Sequence, residues 1–406
     1  MTLRILLWAF LILIVAQLII IGVLMAVDFV RKRRGAPTTF PWFTLDSIQI
    51  EQNKLRPYTY GEELYAAMLQ AIEHAKRQVL LETFIWKDDT VGQDFKRRLT
   101  EAVGRGVEVY IIYDGFANLV VPRRFKRFAS EIHSLEYRVL PRFWQLIDPR
   151  RFARDHRKIL VVDGKTAFVG GFNIGSLYAT QWRDTHLRLD GPIVVELENA
   201  FVDFWNAHRS RRAPTLPNSE HRVWASAIRI HRNDPTTLIF PIRAMYLEAI
   251  DRATERISLT HGYFIPDRTL LQALLAAAAR GVDVQILLPA RSNHVVAYWL
   301  ARGFYGRCLR GGIRLLLYRN AMIHAKTATI DGKWTTIGTA NMDRLSLAGN
   351  FEVNLEIYNE GLAAQMEHIF ARDLTNAHEL TLDEWRARPW FAKVSETVLL
   401  PLRPLL

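Results

Sequence analysis

Cysteine is nearly absent: Cys308 is the single one in 406 residues. An intrachain disulfide is excluded, and the chain suits a reducing compartment. No cluster of ligand-type residues has metal-site spacing, so neither a metal nor a cofactor is expected. Acidic residues are the minority, with Asp+Glu 41 against Lys+Arg 53 and a formal charge of +12. That surplus suits nucleic acid, an anionic membrane or another polyanion, and does not choose between them. Polar residues are scarce over 5–27, where only Gln17 and Gly22 interrupt an apolar run. Twenty-three helical residues span about 35 Å, against about 30 Å of bilayer hydrocarbon. No polar face exists for a buried soluble helix, and Arg31-Lys32-Arg33-Arg34 stands where a signal peptide would have small residues. The run is read as one membrane anchor that adds nothing to the domain cores. The basic cluster places the chain from residue 40 onward in the cytoplasm, and Gly35, Ala36 and Pro37 read as a linker.

Half of the residues are hydrophobic, enough for two domains, each with its own core. The organising feature is a motif that occurs twice. His156, Lys158 and Asp163 return as His324, Lys326 and Asp331, each set reading His-x-Lys, four residues, Asp. Both run into strand-forming residues closed by Asp-Gly, a turn signal. His and Lys two apart on a strand share a face. The histidines are 168 positions apart (156 to 324), and other residues keep that offset: Gly170 and Gly338, Asn173 and Asn341, Asp184 and Glu352.

This constellation resembles the phospholipase D superfamily and, within it, the bacterial cardiolipin synthases. The likeness covers roughly 45–390, and the glycine and asparagine segments at 170–175 and 338–343 match as well. The resemblance implies two tandem phospholipase D-like α/β domains, mixed sheets flanked by helices, related by a pseudo-twofold axis. The expected limits are an anchor at 1–34, domains at 45–215 and 216–380, and an apolar tail at 381–406. It also implies a phosphohistidine intermediate, with His156 as nucleophile and His324 as acid and base; the symmetry of the motifs leaves that assignment open. The best-known members carry two N-terminal membrane segments, whereas one is read here.

In the first half, helical spacing over 61–76 leads to strands at 79–86, 110–113, 166–169 and 185–189 and to helices at 93–103 and 194–208. Basic and aromatic residues alternate at 116–128 and again at 142–154, read as contacts to anionic lipid head groups or as solvated loops. A Pro-rich crossover at 208–222 sets the boundary near 215. The second half repeats the order, with a helix at 245–254, a strand at 257–265, a helix at 270–279 and a strand at 313–317. Tyr263 and His294 are candidates to line the pocket. Pro401 and Pro404 argue against a continuous helix in the tail, which is placed in the membrane interface rather than on the domain.

The chemistry rests on residue types. A neutral imidazole attacks a phosphodiester near neutral pH, and a second one shuttles the proton. Lys158, Lys326, Asn173 and Asn341 are candidates to hold the non-bridging oxygens. Asp184 and Glu352, equally far downstream of their histidines, are candidates to orient the imidazoles. Asp163 and Asp331 complete the motif and are grouped with its catalytic residues, although their part is read as structural rather than chemical. The expected reaction is phosphatidyl transfer between two phosphatidylglycerol molecules, giving cardiolipin and glycerol at a bacterial cell membrane, with no nucleic-acid partner. A hydrolase, a nuclease of the same superfamily and an inactive binding protein are the alternatives.

Overall fold

The computed structural model describes residues 2–33, 39–138, 152–218 and 227–405. Each half contributes one eight-stranded mixed sheet. The first runs Ile48–Ile50, Asn53–Tyr58, His186–Asp190, Thr166–Gly170, Ile159–Val162, Gln78–Thr83, Glu108–Asp114, His133–Tyr137. In the second, the order Ile228–Asn233, Glu352–Tyr358, Trp334–Gly338, Lys326–Ile330, Arg256–His261, Asp283–Pro289, Arg314–Tyr318 repeats all but the first of these, and Ala377–Leu380 is added at the far edge. The last three strands of the first sheet are mutually parallel, as are their three counterparts. The motif strands pair antiparallel with their neighbours on both sides.

Alternation along the strands builds two layers from each sheet. In the first half, Val79, Leu81, Ile111 and Leu160 face a core with Leu64 and Phe95 of helices Gly61–Glu73 and Thr90–Gly104. Leu80, Ile112, Ile159 and Val161 face the other way, onto Leu197 and Phe201 of helix Val194–His208. That second core continues into the other half through Ile337, Val353, Leu355 and Met366. The expectation of one separate core per domain is corrected here: the two halves share an apolar layer, and burial across it fixes their relative placement.

Several boundaries differ from expectation for local reasons. The strand expected over 257–265 breaks into Arg256–His261 and Phe264–Ile265. The break lies at Gly262, where an added Cβ would stand 2.9 Å from Cδ2 of His324, so only a glycine lets that imidazole approach. The helix expected from 245 starts at Pro241, a residue suited to the first helical position. A helix at Val295–Arg310 has no counterpart among the expected elements.

Thr2–Arg33 is one helix, of which Phe10–Val27 is long and apolar enough to cross a membrane. Contrary to expectation it touches the second half. Ile20, Ile21 and Leu24 pack against that half's core, and Gln17 Nε2 donates to the Val398 carbonyl at 3.1 Å. The tail forms helix Trp390–Leu399 and a 3-10 turn, Leu400–Leu405, beginning just before Pro401. Leu399 joins the same core, while Glu396 accepts from Arg302 at 3.0 Å and Arg388 at 2.9 Å. The tail is therefore packed on the domain, with Trp390 and Phe391 left on its outer face at 75% and 53% exposure. Residues 34–38 and 219–226, and with them the expected linker and much of the crossover, lie outside the described residues. So do residues 142–151 of the second basic-aromatic stretch.

Candidate active site

The two motif histidines precede their strands, in extended segments at the junction of the halves. His156 N–H donates to the Phe351 carbonyl at 3.1 Å, and Phe351 N–H donates to the Arg154 carbonyl at 2.9 Å. On the other side, Met322–Ile323 runs parallel to Trp182–Arg183, and His324 N–H donates to the Arg183 carbonyl at 2.7 Å. Each histidine is thus laid against the residue that precedes the other half's carboxylate.

The side chains follow the backbone. His156 Nδ1 lies 3.0 Å from both carboxylate oxygens of Glu352. His324 Nδ1 lies 2.6 Å from Asp184 Oδ2. The expected carboxylates are the right residues, but each serves the histidine of the opposite half. A carboxylate at Nδ1 claims the proton there and leaves the Nε2 lone pair for chemistry. Thr339 Oγ1 donates to Glu352 Oε2 at 2.5 Å. At the matching place beside Asp184 stands Gly171, where a Cβ would lie 2.0 Å from Oδ1. The longer acid comes with a hydroxyl partner and the shorter one with a glycine that admits it.

Burial sets the charge states. His156, Lys158, Asp184, His324, Lys326 and Glu352 are all less than a tenth exposed. Desolvation, then Lys158 and Lys326, push His156 well below the usual imidazole value. Burial and Lys326 take His324 down to about 3. Burial lowers Lys158 to about 7 and Lys326 to about 8. It raises Glu352 to about 7, whereas Lys326 and His324 outweigh burial at Asp184 and keep it lowered. These shifts favour neutral imidazoles beside poorly solvated ammonium groups. An anion bound here would favour the protonated forms of these groups.

Around the cluster, the Phe84 ring meets His156 edge-on at 4.6 Å, and Trp182 and Tyr263 flank His324 at 4.9 and 5.9 Å. Phe84 and Trp182 escaped the sequence reading; their signal is position alone, at a strand end and two before a carboxylate. Tyr263 donates to Asn293 Oδ1 at 2.6 Å. His294 is exposed, 5.8 Å beyond the Tyr263 ring, so it belongs to the rim. Asn173 Oδ1 accepts from Ile85 N–H at 3.2 Å, beside Phe84. Asn341 is 3% exposed, and its Oδ1 has no hydrogen-bond partner among the described residues.

Asp163 and Asp331 are not part of the cluster, a correction to their grouping with the catalytic residues. They lie at the opposite ends of their strands. Asp163 accepts from the backbone N–H groups of Lys76, Arg77 and Gln78 at 2.9, 2.8 and 2.9 Å. Asp331 accepts from those of Thr254, Glu255 and Arg256 at 2.8, 2.9 and 2.8 Å. Both sit at positive φ, 55° and 52°, a conformation aspartate tolerates in turns. Among the described residues no group of three or more His, Cys, Asp or Glu is arranged to hold a metal.

Residues 68–205 and 246–374 match the family described as "Cardiolipin synthase, PLD-like domain". The cardiolipin synthase of Listeria monocytogenes serotype 4a (strain HCC23) is 32% identical over 374 residues, covering 89% of this chain and 77% of the relative. Cardiolipin synthase 1 of Staphylococcus aureus (strain COL) is 33% identical over 375 residues, covering 89% and 75%. In fold, the chain is similar to the phosphatidylserine synthase of Haemophilus influenzae Rd KW20. The TM-score is 0.68 at 13% identity, over 89% of this chain and 94% of that one.

Proposed function

Because this chain belongs to the cardiolipin synthase family of phospholipase D-like proteins, we propose that it is a phosphatidyltransferase making cardiolipin and glycerol from two molecules of phosphatidylglycerol. The observation that supports this reading best is the crossed pairing of His156 with Glu352 and of His324 with Asp184, in one buried cluster with two lysines. Each imidazole is thereby held by a carboxylate at Nδ1, which leaves one Nε2 for attack and the other for proton transfer.

In the first step Nε2 of neutral His156 attacks the phosphorus of one lipid. The bond from phosphorus to the head-group glycerol breaks, and the leaving alkoxide takes a proton from Nε2 of His324, which the negative charge of the bound lipid phosphate keeps protonated in the complex. The second lipid's head-group hydroxyl then gives its proton to His324 while its oxygen attacks phosphorus. The phosphorus–nitrogen bond breaks, restoring His156. Lys158 and Lys326, with the amides of Asn173 and Asn341, hold the non-bridging oxygens. Asp184 and Glu352 fix the imidazoles and offset the charge they gain. No nucleotide or metal is called on, and nucleic acid is not a substrate. The apolar helix anchors the chain in the bacterial cell membrane, and Arg31, Lys32, Arg33 and Arg34 keep the domains on the cytoplasmic side.

The test is lipid analysis of the purified full-length protein given phosphatidylglycerol alone. Cardiolipin and glycerol should appear in equal amounts. Phosphatidic acid as the main product across a range of lipid densities would make water the acceptor and sink the transferase reading.

A further inference from the structure

The two halves of the site are not alike at the mouth. In the first, Arg154, His156 and Lys158 alternate along an extended segment, so their side chains share a face. The intervening residues, Asp155 and Arg157, point to the other face and are buried in an ion pair at 3.4 Å, with Arg157 also donating to Glu82 at 2.5 Å. Exposure rises from the inside outward, Lys158 at 3%, His156 at 8% and Arg154 half-buried. The corresponding ladder in the second half is Lys326, His324 and Met322. Where the first half has a half-buried cation, the second has a thioether, Met322, buried at 9% exposure.

The Arg154 guanidinium lies 4.2 Å over the ring of Phe116. Among the described residues no carboxylate stands within ion-pair distance of it. Asp114, the nearby acid, attracts the guanidinium through space, while its oxygens accept from the backbone N–H groups of Ala117 at 2.7 Å and Asp155 at 3.1 Å. Phe116 opens a segment whose Leu119 and Val120 are 70% and 81% exposed and whose Arg123, Arg124 and Arg127 are exposed as well. Apolar tips beside cations are the composition of a lipid-facing edge. Arg154 thus stands between that edge and the histidine, stacked in place with its donors unclaimed by any described carboxylate.

The proposed reaction has a requirement that hydrolysis does not share. The acceptor brings a second phosphodiester that does not react, separated from the attacking oxygen by the three carbons of glycerol. Two residues of extended chain separate Arg154 from His156 by roughly 6.6 Å, a distance a glycerol bridge between two phosphates matches. We propose that Arg154 binds the unreacted phosphate of the acceptor lipid and so selects an anionic phospholipid as acceptor. The proposal rests on the transferase reading above. An arginine suits the role because its planar fork meets a phosphate through two hydrogen bonds and stays charged.

The experiment compares the full-length wild type with Arg154→Met, the residue of the second half, and Arg154→Lys. Two rates are measured in phosphatidylglycerol micelles: cardiolipin formation, and exchange of labelled free glycerol into phosphatidylglycerol. Exchange uses the same donor and the same histidines with an acceptor that has no phosphate. For Arg154→Met, cardiolipin formation should fall roughly ten- to a hundredfold further than exchange does, the value of a charged hydrogen-bonded contact. Arg154→Lys should recover part of that difference. Equal losses in both rates, or no loss in either, overturn the proposal while leaving the transferase intact. A wild type that exchanges glycerol and makes no cardiolipin refutes the transferase reading itself.

Discussion

Glu352 and His156 are 196 positions apart and 3.0 Å apart in space. The His-x-Lys pairs were legible because their residues are contiguous and repeated. The crossing was not, since Asp184 and Glu352 follow their own histidines at the same interval, and only the packing of the halves decides which imidazole each meets. It has a direct spectroscopic signature. Glu352→Gln should move the ring-nitrogen resonances of His156 and leave those of His324, and Asp184→Asn should do the reverse; shifts confined to the same half would refute it. The lysines set a pH limb. With Lys158 lowered to about 7 and Lys326 to about 8, both are charged below that range and lose their protons as pH rises through it. The ratio kcat/KM should therefore decline from about pH 7 upward. Arginine in place of Lys158 stays charged throughout, and a limb that does not move in an active Lys158→Arg variant would show that this ammonium is not what titrates.

Among the elements, the hairpins after each motif were legible from Asp-Gly, and their placement shows why the aspartates recur. Each carboxylate ties the turn of the motif hairpin to the backbone between a helix and the neighbouring antiparallel strand, through three N–H groups. Those bonds outweigh burial and keep both carboxyls below the ordinary value. Their stabilisation is present above about pH 4 and is lost as pH falls through the lowered value. Asp163→Ala and Asp331→Ala should each destabilise by about 2–3 kcal/mol, measured by denaturant unfolding in detergent, while the folded fraction keeps its histidine chemistry. Loss of activity in a variant of unchanged stability would return these residues to the site. Helix Val295–Arg310 was less legible because Gly303 and Gly306 lower its propensity and apolar residues lie on several sides. Gly306 is there for space: a Cβ would stand 2.7 Å from Nε1 of Trp385. The tail's Leu399 looked like membrane material for a similar reason, since an apolar residue at a chain end reads alike whether lipid or protein covers it.

At the scale of the molecule, the constant offset of 168 exposed the duplication, and the two sheets repeat strand for strand over seven places. What the offset could not give is how the copies meet. They join through a shared apolar layer and through backbone bonds that lay each histidine segment against the other half's carboxylate segment. The two halves bring their motif residues into one candidate site, with the half-buried cation of Arg154 on one side and the buried thioether of Met322 at the corresponding place on the other. In the proposed reaction this single site passes the phosphatidyl group through His156. Acid- or heat-quenched protein, caught during turnover of phosphatidylglycerol labelled in its phosphate and mapped by peptide mass, tests it most directly. A phosphatidyl adduct should appear on the peptide carrying His156 and be absent from His156→Ala; an adduct on His324, or turnover undiminished in His156→Ala, would refute the passage through His156.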